Sequence, residues 1–321
     1  MLYRYILLIF SILCFNNAVA NSRPDPSELI QQMTSSANEL DYEGVFIYRN
    51  GNQMETMQVI HKATDNGSME RLISLSGEAK EVIRDNEAVR CIMPESKMVI
   101  LESDVPSQLV SRKLPYQLDQ LVEYYDFEII GEDRVANREA WIVNIIPKDD
   151  YRYGYELWID KDTALLLKSE QKSRVGMTIE QMMFTQIDIN KVIEEARLKT
   201  AYVTDGFTVL EHKTTTSSNN KDLKDWIIGW MPDGFHTKDV STQTMPNSQQ
   251  SLQHVMLSDG LTTISVFIEK VEDGLASHSG SQTMGTANTY AKINNGYQIT
   301  ALGGVPLATV KLIANSVKKS N

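Results

Sequence analysis

Side chains that could do chemistry are few in this chain, and they are scattered. The five histidines are His61, His212, His236, His254 and His278. None has a partner at the H-E-x-x-H spacing that sets two imidazoles on one helix face around zinc. No serine stands in G-x-S-x-G, and Ser279 before Gly280 lacks the upstream glycine of a nucleophile elbow. The glycine-rich patterns that cradle phosphate do not occur, so Gly303-Gly304 reads as a turn before a helix. Asp160-Lys161-Asp162 opens like a calcium loop. Ala164 and Leu165 then stand where an oxygen ligand and a glycine are needed, and a tight turn between two strands fits better. Glu194-Glu195 lies in a charged, solvated stretch. A pair of glycosidase carboxylates needs no motif, so a hydrolase stays open, but no residue points to catalysis, a cofactor or a metal.

Contact chemistry remains. Trp158 and Trp230 are large aromatics where the local pattern does not demand them, and such residues dominate recognition surfaces. Ordinary packing under a helix or loop is the alternative for each. With Phe46, Tyr48 and Phe235 they form the candidate set for contact with a partner or a lipid.

Composition narrows the class. The 321 residues are 42% hydrophobic and 23% charged, enough for a packed core in one large or two ordinary domains. Thirty-one Lys and Arg against 42 Asp and Glu leave a formal charge of −11, which argues against nucleic acid as a partner. Two cysteines cannot build a disulfide scaffold.

Residues 1–20 read as a signal peptide: Arg4, a short apolar run and the cleavage pattern Ala18-Val19-Ala20. The apolar run is too short to cross a bilayer stably, and an uncleaved anchor is the alternative. Cys14 follows Leu13, where a lipobox needs a small residue, so lipidation is not expected. Cleavage removes Arg4 and takes the net charge to −12. Cys91 is then the one thiol, in a strand pattern that suits a small buried apolar residue.

These residues need elements to position them. Asp25-Pro26-Ser27-Glu28 has the form of a capping box, and Leu29, Ile30, Met33, Ala37 and Leu40 follow at helical spacing. Strands come next: Val45–Tyr48, an Asn50-Gly51 hairpin signal, Thr56–Ala63, Met69–Ser76, Ala79–Arg84, Ala88–Met93 and Met98–Leu101. Leu118, Leu121, Val122 and Tyr125 predict a helix over Gln117–Tyr125. A second meander runs through Phe127–Gly131, Glu139–Ile146, Tyr153–Ile159, Leu165–Lys172 and Met177–Ile189. Ala140-Trp141-Ile142-Val143 is apolar on both faces, so some strands are covered on two sides. A curved antiparallel sheet with helices in its concavity explains this, and a two-sheet sandwich fits nearly as well. Residues 211–222 are polar and read as a linker between a large domain over 21–210 and a small one over 223–321. In the small domain, Trp226–Trp230, Gln253–Leu257, Thr262–Glu269, Ser281–Ile293 and Gly296–Leu302 read as strands. Pro306–Lys318 reads as a closing helix, with Lys318 and Lys319 at the negative end of its dipole.

Four stretches then carry a resemblance over essentially the whole exported chain. They are Leu40-Asp41-Tyr42-Glu43-Gly44-Val45-Phe46; Tyr124-Tyr125-Asp126-Phe127 with Arg134-Val135-Ala136-Asn137-Arg138; Arg152 to Asp160; and the set Trp230 to Phe235, Ser258 to Leu261 and Gly304-Val305-Pro306. In this order and spacing the chain resembles the RseB/MucB family, periplasmic negative regulators of the envelope-stress sigma factor. The resemblance implies an α+β protein, with a large half-open antiparallel β-barrel like that of the LolA and LolB carriers, helices in its concavity, and a small sheet with one helix. It implies a periplasmic protein that binds the periplasmic segment of a membrane anti-sigma factor, RseA or MucA. Binding would shield that segment from site-1 proteolysis, and lipopolysaccharide or acyl chains would release it. Self-association as a homo-oligomer is a further implication, and no catalytic residue transfers. A lipid or lipoprotein carrier on the same half-barrel is the alternative. The small C-terminal domain separates the two, because simple carriers lack it.

Overall fold

Alternation of apolar and polar residues over long stretches dictates sheets, and a computed structural model of the chain shows two large ones. It describes residues 23–102, 121–212, 225–244, 251–271 and 279–320. The signal-peptide reading, residues 117–120 of the expected helix and residues 213–222 of the expected linker lie outside these.

Helix α1 (Pro26–Glu39) starts where the sequence places it. The Asp25 carboxylate accepts the N–H groups of Ser27 at 2.9 Å and Glu28 at 3.0 Å. The other half of the capping box does not form, because Glu28 instead accepts from the Gln32 side-chain amide at 3.3 Å. Eleven strands follow: β1 (Tyr42–Asn50), β2 (Gln53–Thr64), β3 (Gly67–Ser74), β4 (Glu81–Arg84), β5 (Val89–Met93), β6 (Met98–Glu102), β7 (Tyr125–Val135), β8 (Arg138–Pro147), β9 (Gly154–Asp160), β10 (Leu166–Lys172) and β11 (Thr178–Ile189). A 3-10 turn (Glu195–Leu198) and β12 (Thr208–His212) come next.

The two meanders are halves of one sheet. β11 returns to pair with β1, giving the order β12-β6-β5-β4-β3-β2-β1-β11-β10-β9-β8-β7. Every pairing is antiparallel except β12 on β6. The sheet rolls up at one end, where Cα atoms of β7 come within 8 Å of β11 although three strands separate them. The two-sheet sandwich is thereby replaced by one curved sheet with its core inside. Leu29, Ile30, Met33 and Ala37 of α1 bury there against Tyr42, Phe46, Met57, Val59 and Leu72. Each of the leucine, isoleucine, valine, methionine and phenylalanine side chains among them contributes about 1.5–3 kcal/mol on burial.

The outer face of the β2–β6 wing is covered too. Ile193 and Leu198 pack on Ile60, while Tyr202 and Phe207 pack on Ile83, Ile92 and Val99. Arg71 fixes this cover by donating to the Arg197 carbonyl at 3.0 Å.

The second sheet has the order β14-β15-β16-β19-β18-β17. Its strands are β14 (His236–Thr244), β15 (Ser251–Ser258), β16 (Thr263–Lys270), β17 (Gly280–Met284), β18 (Ala287–Asn294) and β19 (Tyr297–Gly303). Helix α2 (Leu307–Ser316) lays Val310, Ile313 and Ala314 on Val255, Leu257, Ile264, Val266 and Ile299. A two-stranded ribbon joins β13 (Trp226–Ile228) to β20 (Val317–Lys319).

Several expectations need correction. Leu121 to Tyr124 form turns, with Tyr125 N–H bonded to the Leu121 carbonyl at 2.8 Å, and Tyr125 already begins β7. Ser281–Ile293 is a hairpin of two strands, since Gly285 at φ +59° reverses the chain. The closing helix stops at Ser316, so Lys318 and Lys319 lie in β20, with Lys319 Nζ 4.8 Å from the Tyr297 ring centre. Glu211 and His212, expected in the linker, end β12. β14 escaped the reading because HTKDVSTQT lacks an apolar alternation; it is an edge strand.

Candidate functional site

Two places gather the residues that could serve a binding protein: the concave face of the large sheet, and the junction between the two sheets. The concave face begins under α1. There Phe46 packs edge-on against Phe184, ring centres 5.6 Å apart, and Tyr48 is half-buried at the margin of the same core. Away from α1, cross-strand pairing sets Leu72, Val82, Cys91, Ile100 and Leu210 in one row on one face. Exposure rises along the row from 7% at Leu72 to 48% at Leu210. Among the described residues, the concavity thus opens as an apolar wing at the β12 edge. Burial raises the pKa of the half-buried Cys91 thiol, consistent with a small packing residue.

The neighbouring row is polar and buried. His61 stacks on Tyr42 at 4.7 Å, and its Nδ1 lies 2.8 Å from the Leu40 carbonyl. A carbonyl only accepts, so Nδ1 carries the proton and donates, leaving Nε2 bare and, among the described residues, without a hydrogen-bond partner. Burial drives the His61 pKa down to about 4, outweighing the Leu40 bond. Beyond it, Arg84 pairs with Glu70 at 3.6 Å and donates to Ser68 at 2.7 Å.

Arg152 is the centre of the junction. It stands between β8 and β9, and its side chain has 0% exposure. Nη1 donates to Asp259 Oδ2 at 2.8 Å, Nη2 donates to the Asp233 carbonyl at 2.6 Å, and Nε donates to Asp149 Oδ1 at 3.2 Å, with Nη2 also 2.9 Å from Asp149 Oδ2 as an ion pair. The Tyr125 hydroxyl donates to the same Asp259 oxygen at 2.8 Å. The rings of Tyr124, Tyr125 and Phe235 surround the guanidinium at 5.1–5.4 Å. Burial works against its charge, but the Tyr125 oxygen and the Asp259 and Asp149 carboxylates outweigh it, so Arg152 is held protonated more firmly than usual. Asp259 turns the β15–β16 hairpin, its Oδ1 accepting the N–H groups of Leu261 and Thr262. That turn drives Leu261 into the core of the large sheet.

Further contacts flank this centre. Thr309 of α2 donates to the Tyr151 carbonyl at 2.8 Å, Asn288 of β18 donates to the Tyr153 hydroxyl at 3.1 Å, and Tyr151 packs edge-on against Trp230 at 5.1 Å. Gly234 at φ +84° lies so close to the Tyr124 ring that a Cβ would come within 2.5 Å of it. At the mouth, Glu123, Tyr124, Lys148, Asp149, Asp233 and Gly234 line a crevice of about 480 Å³.

The structure therefore brings two sequence candidates, Trp230 and Phe235, to the junction, and two, Phe46 and Tyr48, to the concavity. Trp158 is apart from both. It is buried on the outer face of β9, its indole N–H bonded to Asp133 at 3.0 Å and Lys168 Nζ 3.7 Å above its ring. Asp160 closes the tight turn read from the sequence, accepting from Thr163 N and Oγ1 and from Arg138 Nε at 2.6 Å. Reasoning from residue types missed Arg152 and Asp259. Both lie in the stretches quoted for the resemblance, and these stretches meet at the junction.

Comparison with known proteins agrees with this architecture. Residues 25–202 match the model of the MucB/RseB N-terminal domain, and residues 220–318 match that of the MucB/RseB C-terminal domain. The chain is 28% identical over 290 residues to the sigma-E factor regulatory protein RseB of Haemophilus influenzae, covering 90% of each chain. It is 26% identical over 307 residues to the sigma factor AlgU regulatory protein MucB of Pseudomonas aeruginosa, covering 93% of this chain and 92% of that one. The solved Pseudomonas aeruginosa MucA/MucB complex contains a chain of the same fold, with a TM-score of 0.74 at 24% identity, covering 93% of this chain and 100% of that one. With both domain models matched in order, this chain belongs to the MucB/RseB family.

Proposed function

We propose that the chain is a periplasmic negative regulator of a sigma-E-type envelope stress response. It binds the periplasmic segment of a membrane anti-sigma factor of the RseA or MucA kind and keeps that segment from its first proteolytic cut. The observation that carries this reading is the family match over both domains, in a family with a member solved together with MucA. The export signal at residues 1–20 supports a periplasmic location. On this reading the chain acts by occupying its partner, and it makes or breaks no bond itself.

Release by envelope lipid is part of the proposal. The open wing of Val82, Cys91, Ile100 and Leu210 supports it, because a curved apolar face suits an acyl chain. The same wing supports the second reading, a lipid or lipoprotein carrier. The α2-bearing sheet docked on the half-barrel favours the regulator. Calorimetric titration of residues 21–321 with the periplasmic segment of the anti-sigma factor from the same genome tests it. Saturable binding with a Kd of about 1 μM or tighter is expected. Absence of heat and of complex at roughly ten times that concentration contradicts it.

A further inference from the structure

We propose that Arg152 is a positioning residue: its buried guanidinium holds the two sheets in one arrangement, and that arrangement sets the affinity for the anti-sigma-factor segment. The second clause rests on the function proposed above.

The argument starts from where the charge sits. Arg152 belongs to the large domain, and two of its acceptors, the Asp259 carboxylate and the Asp233 carbonyl, belong to the small one. Both members of the Arg152–Asp259 pair have side chains with no exposure. A buried pair adds little over an apolar pair, but breaking it strands two charges at once. The guanidinium offers five donors in a rigid fork, and here the fork is used on three acceptors in two domains. Partial opening would lose the short bonds while water still could not reach the ions. The domains therefore separate in one step, with Leu261 leaving the large core and Tyr125 losing its acceptor together.

The geometry of Asp259 makes a clean test available. One oxygen, Oδ1, holds the β15–β16 turn, and the other, Oδ2, takes Arg152 and Tyr125. Asp259→Asn can keep the turn with its amide oxygen and loses the charge. It is expected to raise the open population on the order of 100-fold. In residues 21–321, wild type should show one calorimetric transition and one closed scattering envelope. Asp259→Asn should show two transitions, one per domain, a larger radius of gyration, and at least tenfold weaker binding of the anti-sigma segment. Arg152→Lys keeps charge without the fork and should behave the same way. Tyr125→Phe keeps the ion pair and should stay closed. Near-UV circular dichroism confirms that each domain stays folded.

A single transition with unchanged scattering in both Asp259→Asn and Arg152→Lys overturns the proposal. So does an opened envelope with unchanged affinity. Wild type that ignores the segment overturns the functional reading instead, and scattering and calorimetry then decide the positioning role alone.

Discussion

His61 illustrates how one side chain ties the concave face to pH. The unfolded chain has an ordinary histidine near pH 6.5, and the folded one titrates at about 4. Between these values the unfolded state binds more protons, so stability is full above pH 6.5 and falls as the pH drops toward 4. The shift amounts to about 3 kcal/mol. Chemical denaturation from pH 7 to pH 4 should show that loss in wild type. His61→Phe, which keeps the stack on Tyr42, should flatten it, and an equal slope in both proteins would contradict this account. Gly234 makes the matching case at the junction. With φ at +84° and the Tyr124 ring within 2.5 Å of any Cβ, Gly234→Ala should cost at least about 1 kcal/mol, read as a lowered Tm. An unchanged Tm would mean that the junction yields easily there.

Elements show how much could be read in advance. The helical stripe Leu29, Ile30, Met33 and Ala37 was legible because period and cap agree, and all four side chains are buried. Met33→Ala should therefore cost about 2–5 kcal/mol in denaturant titration. The strands of both meanders were legible from alternation and turn residues. The β1–β11 pairing that makes them one sheet was not, because it joins residues more than a hundred positions apart and leaves no local pattern. β12 was hidden for a similar reason: Val209 and Leu210 are exposed by 56% and 48%, so the strand lacks a buried face. That exposure leads to a separate expectation. Leu210→Glu should leave stability within about 0.5 kcal/mol while weakening binding of a fluorescent fatty acid to the wing. Undiminished binding would move the lipid site elsewhere. At the candidate site, aromatic residue type pointed to Trp230 and Phe235 at the junction, but equally to Trp158, which is buried on β9 away from it. Arg152 and Asp259 could not be picked out, because an ion pair between domains is visible only after both have folded.

For the whole molecule, charge and the junction set the terms of recognition. The chain carries −11 overall, and the crevice mouth gathers three of its acidic residues, Glu123, Asp149 and Asp233, against Lys148. A partner segment with basic residues would be steered toward this surface, and salt would screen the steering over roughly 8–10 Å. Affinity for the anti-sigma segment should fall several-fold between about 0.05 and 0.5 M salt, and a flat response would mean that contacts other than charge dominate. The central claim is that this chain protects by occupancy. Its most direct test is to cleave the membrane anti-sigma factor with its site-1 protease, with and without residues 21–321 in excess. Cleavage should slow at least tenfold when the chain is present and recover when lipopolysaccharide is added; an unchanged rate with the chain bound would contradict the claim.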